Sequence, residues 1–91
     1  MFRESDIRML DKSYFNIVLT GDYDVTVQSK NTGHSWYIHN PEYPGEDACI
    51  IFHKHNASHP YHRHGRAGNL WQAIKSIKGH DMFQMNGRRY V

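Results

Sequence analysis

The chain has 91 residues, a length that corresponds to one domain. Its one cysteine, Cys49, excludes an internal disulfide and a zinc site of four cysteines. No apolar run is long enough to cross a bilayer, and the N-terminus lacks the apolar stretch of a signal peptide. We therefore expect residues 1–91 to form a single cytoplasmic domain that does not enter a membrane.

Charge is divided unevenly along the chain. Residues 1–52 carry four Lys or Arg against eight Asp or Glu, a net charge of −4. Residues 53–91 carry seven Lys or Arg against Asp81 alone, a net charge of +6. Such a split favours an anionic partner for the second half, although the two halves of one fold can also neutralise each other.

The first half of the chain has the pattern of a short helix followed by strands. Residues 4–10 predict a helix that Ser5 or Asp6 caps. Four segments then follow in which apolar residues alternate or run together, separated by turns that contain Gly, Asn or Pro. These predicted strands cover residues 15–20, 23–28, 34–39 and 48–55.

The second half predicts a loop and an amphipathic helix. Residues 56–68 hold Pro60, Gly65 and Gly68 among polar residues and predict a loop. A helix follows, with an apolar stripe of four residues, Asn69 as its N-cap and Gly79 as its stop. The stripe comprises Leu70, Ala73, Ile74 and Ile77. Beyond it, Asn86-Gly87 between residues 82–85 and 88–91 indicates a hairpin, or else a frayed tail.

Together these elements predict an α+β fold. We expect a four-stranded antiparallel β-meander with the C-terminal amphipathic helix packed on one face. The short N-terminal helix and the C-terminal hairpin complete the expected fold.

Histidine is concentrated between the fourth strand and the helix. The chain has eight histidines, and two His-x-His pairs fall close together, His53 with His55 and His62 with His64. Alternate residues of a strand point to one face, so two such pairs brought together would offer four imidazoles to Zn²⁺ or another transition metal. No acidic residue is near in sequence to orient them; Asp47 and Asp81 are remote. The alternative is a set of exposed or ring-stacked histidines in a polar loop.

The loop that leads into the helix has the composition of an anion site. Backbone N–H groups of a Gly-rich loop and the helix N-terminus attract phosphate, and arginines can hold it by paired hydrogen bonds. It is not a nucleotide-binding loop of the Gly-Lys-Ser/Thr type. The candidate ligand-binding residues are Lys54, His55, His62, Arg63, His64, Arg66, Gly68 and Asn69.

Two other features bear on function. Aromatic residues lie near basic ones, and Tyr37 and Tyr61 are the aromatics we expect to be most exposed, which would suit stacking on a nucleic-acid base. No Ser-His-Asp order, Cys-His pair or pair of carboxylates is apparent, so a binding role is favoured over catalysis. A histidine-based phosphoesterase is the remaining catalytic alternative.

Three segments resemble small bacteriophage and mobile-element accessory proteins that have no established catalytic motif. They are residues 31–38 (NTGHSWYI), 52–55 (FHKH) and 70–81 (LWQAIKSIKGHD). The resemblance implies a protein that acts in the cytoplasm of a bacterial host and either blocks a host defence protein or sequesters a nucleotide signal. It assigns no functional residue.

Three hypotheses follow from the sequence. The first is a non-enzymatic module that binds a phosphate-bearing ligand, either nucleic acid or a nucleotide, through the basic loop. The second is a phage-type inhibitor that binds a host protein, with a homodimer as its possible form. The third is a metal-binding domain that holds zinc or a similar ion with the four histidines.

Overall fold

A computed structural model describes residues 1–41 and 49–85. The elements in chain order are α1 (Glu4–Arg8), β1 (Phe15–Thr20), β2 (Asp24–Ser29), β3 (Ser35–His39), β4 (Cys49–Lys54), β5 (His62–Ala67) and α2 (Leu70–Met85). The fold is α+β, as the sequence predicts. Within the described residues, no helix has the length and apolarity needed to cross a membrane.

The strands form one antiparallel sheet in the order β1-β2-β3-β4-β5, so each strand pairs with its neighbour in sequence. The meander is confirmed, but the strand count of four is wrong. Residues 62–67, predicted as loop, form the fifth strand. Their sequence HRHGRA lacks apolar alternation and has little intrinsic strand preference. Backbone pairing with β4, at the sheet edge, makes this segment a strand.

One face of the sheet carries the core. In β2, β3 and β4 alternate residues are buried, and Val25, Trp36 and Ile51 are among those with no exposed surface. Leu70, Ala73 and Ile77 of α2 pack against this face, and Ile74 is partly buried beside them. The apolar stripe predicted for the helix is therefore confirmed, and α2 lies over β3, β4 and β5.

The N-terminus of α2 is built as the sequence predicts. The side chain of Asn69 accepts a hydrogen bond from the Gln72 backbone N–H at 2.8 Å, which is an N-cap contact. The Gln72 side chain in turn accepts from the Gly68 backbone N–H at 3.0 Å. A Cβ atom at Gly68 would stand only 2.7 Å from that oxygen, so a larger residue here would displace the Gln72 side chain from this contact.

The C-terminus of α2 is not as predicted. Gly79 does not stop the helix, which continues to Met85, so residues 82–85 are helical and the predicted hairpin is wrong in that half. A glycine inside a helix costs about 1 kcal/mol relative to alanine, which other contacts can offset. The second half of that hairpin, residues 88–91, lies outside the described residues.

The N-cap of helix α1 lies two residues before Ser5, the nearer of the two predicted caps. Arg3 is the N-cap residue, and Asp6 accepts a hydrogen bond from the Arg3 backbone N–H at 2.8 Å. Asp6 therefore stabilises the helix from its third position, as in a capping box, and neither Ser5 nor Asp6 is the cap itself.

Candidate functional site

Six of the eight histidines gather at one end of the sheet, on the face that α2 covers. They are His34 before β3, His53 in β4, His55 just after β4, His62 and His64 in β5, and His80 in α2. We call this group the histidine cluster. Its rings form a continuous set of contacts with centroids 4.5–6.1 Å apart.

Strand register explains how the cluster forms. Trp36 pairs with His53, and His53 pairs with His62. Residues paired directly across antiparallel strands share a face, so these three side chains form a row across the sheet. The register of β4 and β5 shifts between Ile51 and Phe52, which leaves His64 as an extra residue of β5. A bulge of this kind redirects a side chain, and the ring of His64 meets Trp36 and His80.

Trp36 forms the floor of the cluster. Its ring stacks on His53 with centroids 3.7 Å apart and an angle of 8° between the planes. His64 and His80 meet the same ring edge-on, at 5.0 Å and 5.6 Å. The buried indole Nε1 of Trp36 has no hydrogen-bond partner among the described residues.

His53 is the central member of the cluster. Only 1% of its surface is exposed. His53 belongs to two groups of three histidines. Within each group, one ring nitrogen from each residue lies within 4.8 Å of those of the other two. We name them the inner triad (His53, His64, His80) and the outer triad (His34, His53, His55).

The inner triad opens onto a cleft of ≈ 310 Å³. All three of its members line this cleft, together with His55, His62, Phe83 and Gln84. Gln84 lies one helical turn after His80, and the side-chain nitrogens of the two residues are 3.2 Å apart. This contact orients the His80 ring from within the same helix.

Burial keeps the central imidazoles neutral. It lowers the pKa of His53 to about 3, and repulsion from the imidazolium forms of His55, His34, His80 and His62 adds to the effect. Burial likewise lowers the pKa of His64, again with contributions from His80 and His62. A neutral imidazole has a free nitrogen lone pair, so at neutral pH these rings can act as metal ligands or hydrogen-bond acceptors.

All four histidines predicted as a metal set, His53, His55, His62 and His64, lie in the cluster and line the cleft. Sequence reasoning missed His34 and His80. The helical stripe carried the signal for His80, which lies three residues after Ile77 on the same side of α2. Assigning Gly79 as the helix stop hid that continuation.

The predicted phosphate-binding residues are distributed over three places. His55, His62 and His64 belong to the histidine cluster. Lys54, Arg63 and Arg66 belong to the opposite face of the sheet, because Arg63 pairs with Phe52 and Arg66 with Ile50. Gly68 and Asn69 lie at the start of α2, where their polar groups contact Gln72.

Of the two remote carboxylates named from the sequence, the one that the structure describes has other partners. Asp81 is fully buried and accepts hydrogen bonds from the hydroxyls of Tyr14, Ser29 and Thr32. Asp47 lies outside the described residues.

No family model matches this chain, and neither does any curated protein or solved structure in the comparisons made. The phage resemblance, the host-protein partner and the homodimer therefore stay predictions.

Proposed function

We propose that this protein is a transition-metal-binding domain and that the inner triad of His53, His64 and His80 holds the ion. The observation that carries the proposal is the convergence of three imidazoles from β4, β5 and α2 on one cleft. Imidazole nitrogen is a ligand of Zn²⁺, Cu²⁺ and Ni²⁺, and a site without thiolates or carboxylates suits these ions better than Mg²⁺ or Ca²⁺.

Ring geometry favours the inner triad over the outer one. Three imidazoles around a tetrahedral Zn²⁺, with Zn–N distances of about 2.0–2.1 Å, have ring centroids about 5 Å apart. In the inner triad the centroids are 4.7, 5.4 and 6.0 Å apart, with interplanar angles of 65° to 82°. Small side-chain adjustments would bring three such nitrogens to one ion.

The outer triad has the geometry of stacked rings instead. His34 and His55 are 4.5 Å apart with an angle of only 25° between their planes. A metal ion lies in the plane of each imidazole that binds it, and two nearly parallel stacked planes share no point close to both rings. The nitrogens of His34 and His53, 3.0 Å apart, are at hydrogen-bond distance. We therefore assign His34 a supporting role, as the hydrogen-bond partner that orients His53.

An ion held by the inner triad would have its fourth coordination position toward the cleft. His55 and His62 line its wall, and either side chain or a water molecule would complete a tetrahedral shell there. A side chain in this position makes a closed site of the structural kind, whereas water leaves an exchangeable position.

Calorimetric titration of chelator-treated protein with Zn²⁺ tests the proposal. We expect one equivalent to bind, and the double variant His64→Ala/His80→Ala to lose at least about tenfold in affinity, the lower end of effects seen for residues around metal sites. The matched control is His39→Ala/His59→Ala, which removes the same number of imidazoles from outside the histidine cluster and should bind like the wild-type protein. A loss in this control as large as in the inner-triad variant would overturn the assignment, and no binding by the wild-type protein would end the proposal.

A further inference from the structure

The sheet has a second face, on which no described helix lies. Side chains of alternate residues on β3 and β4 point to it, among them Tyr37, Phe52 and Lys54. All three are partly exposed, whereas their neighbours on the other face are buried. We call this surface the open face.

Aromatic rings form a platform on the open face. Tyr37 stacks on Phe52 with centroids 5.6 Å apart and an angle of 29° between the planes. Tyr61, which precedes β5, adds a third ring 6.0 Å from Tyr37. The hydroxyl of Tyr37 donates a hydrogen bond to Asp24, and Asp24 also contacts His39 at 2.8 Å. This hydrogen bond fixes the orientation of the Tyr37 ring.

Basic side chains border this platform on the β4–β5 side. The ammonium of Lys54 lies 4.6 Å from the centre of the Tyr61 ring. Arg63 and Arg66 are exposed and follow on β5, at positions that pair with Phe52 and Ile50. Among the described strand residues of this face, Asp24 is acidic; it lies on the far side of the platform and is engaged with Tyr37 and His39.

We propose that the open face binds single-stranded nucleic acid, with bases stacked on Tyr37, Phe52 and Tyr61 and the phosphates along Lys54 and Arg63. Flat rings exposed beside cations on a sheet surface match the two components of single-strand recognition, base stacking and backbone neutralisation. A duplex keeps its bases stacked inside and offers this platform nothing to stack on, so the face selects single strands. The inference does not depend on the histidine cluster, which lies on the other side of the sheet.

Fluorescence anisotropy with labelled ten-nucleotide oligo(U) and oligo(dT) tests the proposal in chelator, at low and at raised salt. We expect the wild-type protein to bind a single strand more tightly than a duplex of the same length. Tyr61→Leu should weaken binding at least about fivefold, the lower end of measured stacking effects. Lys54→Ala/Arg63→Ala should lower the slope of log affinity against log salt by about 1.4, or 0.7 for each phosphate contact.

Matched variants on the helix side provide the controls. Trp71→Leu removes an aromatic ring that is 59% exposed, and Arg8→Ala/Lys75→Ala removes two positive charges from α1 and α2. Both should bind like the wild-type protein. Equal weakening by control and test variants would show attraction by net charge alone and would overturn the proposal, as would the absence of single-strand binding at low salt.

Discussion

His53 occupies a position where an apolar side chain would be expected. It is enclosed by the sheet, stacked on Trp36 and surrounded by imidazoles. Burial of this ring disfavours its charged imidazolium form, and the neighbouring histidines add to the effect. Both lower the pKa of His53. A phenyl ring would fill the same space without that penalty. The presence of histidine here is the residue-scale reason to infer a ligand.

Replacing His53 by Phe separates packing from metal binding. The change keeps a flat ring against Trp36, so without metal we expect the free energy of unfolding to stay within about 1.5 kcal/mol of the wild-type value, as for other swaps of similar volume. At a free Zn²⁺ concentration of 100 times the dissociation constant, the wild-type protein should gain about 2.7 kcal/mol and the variant nothing. Urea unfolding with and without Zn²⁺ measures both quantities. An equal gain in the variant would place the ion away from His53.

At the scale of elements, hydrogen bonds and an ion pair tie helix α2 to the N-terminal part of the fold. Asp81 receives hydroxyl donors from Tyr14, before β1, and from Ser29 at the end of β2. Lys78, one turn earlier, donates to Asp11 at 2.8 Å. These contacts keep the second half of α2 helical beyond Gly79 and position His80 over the sheet.

Removal of the Asp81 carboxylate should loosen this end of the helix. Asp81→Ala leaves the buried hydroxyl of Ser29 without its acceptor. The hydroxyls of Tyr14 and Thr32 lose the same acceptor. Because hydrogen bonds to a charged group contribute about 1.5–3 kcal/mol each and do not add fully, we expect a loss of about 3 kcal/mol or more. Urea unfolding measures it, with Asp22→Ala as an exposed control that should stay within about 0.5 kcal/mol. A loss no larger than that of the control would contradict the assigned role.

The Asp11–Lys78 contact predicts a pH dependence. Hydrogen bonds from Lys78 and Ser13 hold the pKa of the Asp11 carboxyl well below its usual value. A depressed pKa in the folded state stabilises the protein above the unfolded value of about 3.9, and this contribution is lost as the pH falls below it. The wild-type protein should therefore be more stable than Asp11→Asn at pH 5–7, with the gap closing under acid conditions. Urea midpoints of both proteins from pH 7 down to about pH 2 check the prediction, because the contribution is lost between the unfolded pKa and the lower folded one. A gap that stays constant into acid would contradict it.

At the scale of the whole molecule, the parts that sequence predicts are those governed by local pattern. Alternation in β2 and β3 and the stripe in α2 indicate buried faces, because burial acts on every second strand residue or every helical turn. The continuous apolar run of β4 indicates a strand but not which of its faces is buried. The formation of strand β5 depends on pairing with β4. The helical conformation at the end of α2 depends on contacts with Tyr14 and Ser29, which are distant in sequence. The sequence of β5 has no alternating pattern, and at the end of α2 Gly79 masks the continuation of the apolar stripe.

The same distinction applies to the histidine cluster. The two His-x-His pairs led to the hypothesis that His53, His55, His62 and His64 come together, with exposed histidines in a polar loop as the alternative. Two members of the inner triad depend on contacts between elements that are distant in sequence. His80 lies on α2, and the bulge in β5 directs the side chain of His64 toward it. The separation of Lys54, Arg63 and Arg66 from the histidines also follows from register, which composition cannot show.

Hydrogen exchange offers a test of how metal binding acts on the molecule as a whole. An ion in the inner triad would connect β4, β5 and α2, the elements that carry His53, His64 and His80. Local opening of the second half of α2 would then require release of the ion, so its amides should exchange more slowly with Zn²⁺ present. Strands β1 and β2 hold no member of the cluster, and their local exchange serves as the internal reference. Protection confined to β4 and the turn before β3, without any change in α2, would instead locate the ion at the outer triad and remove the structural link between helix and sheet.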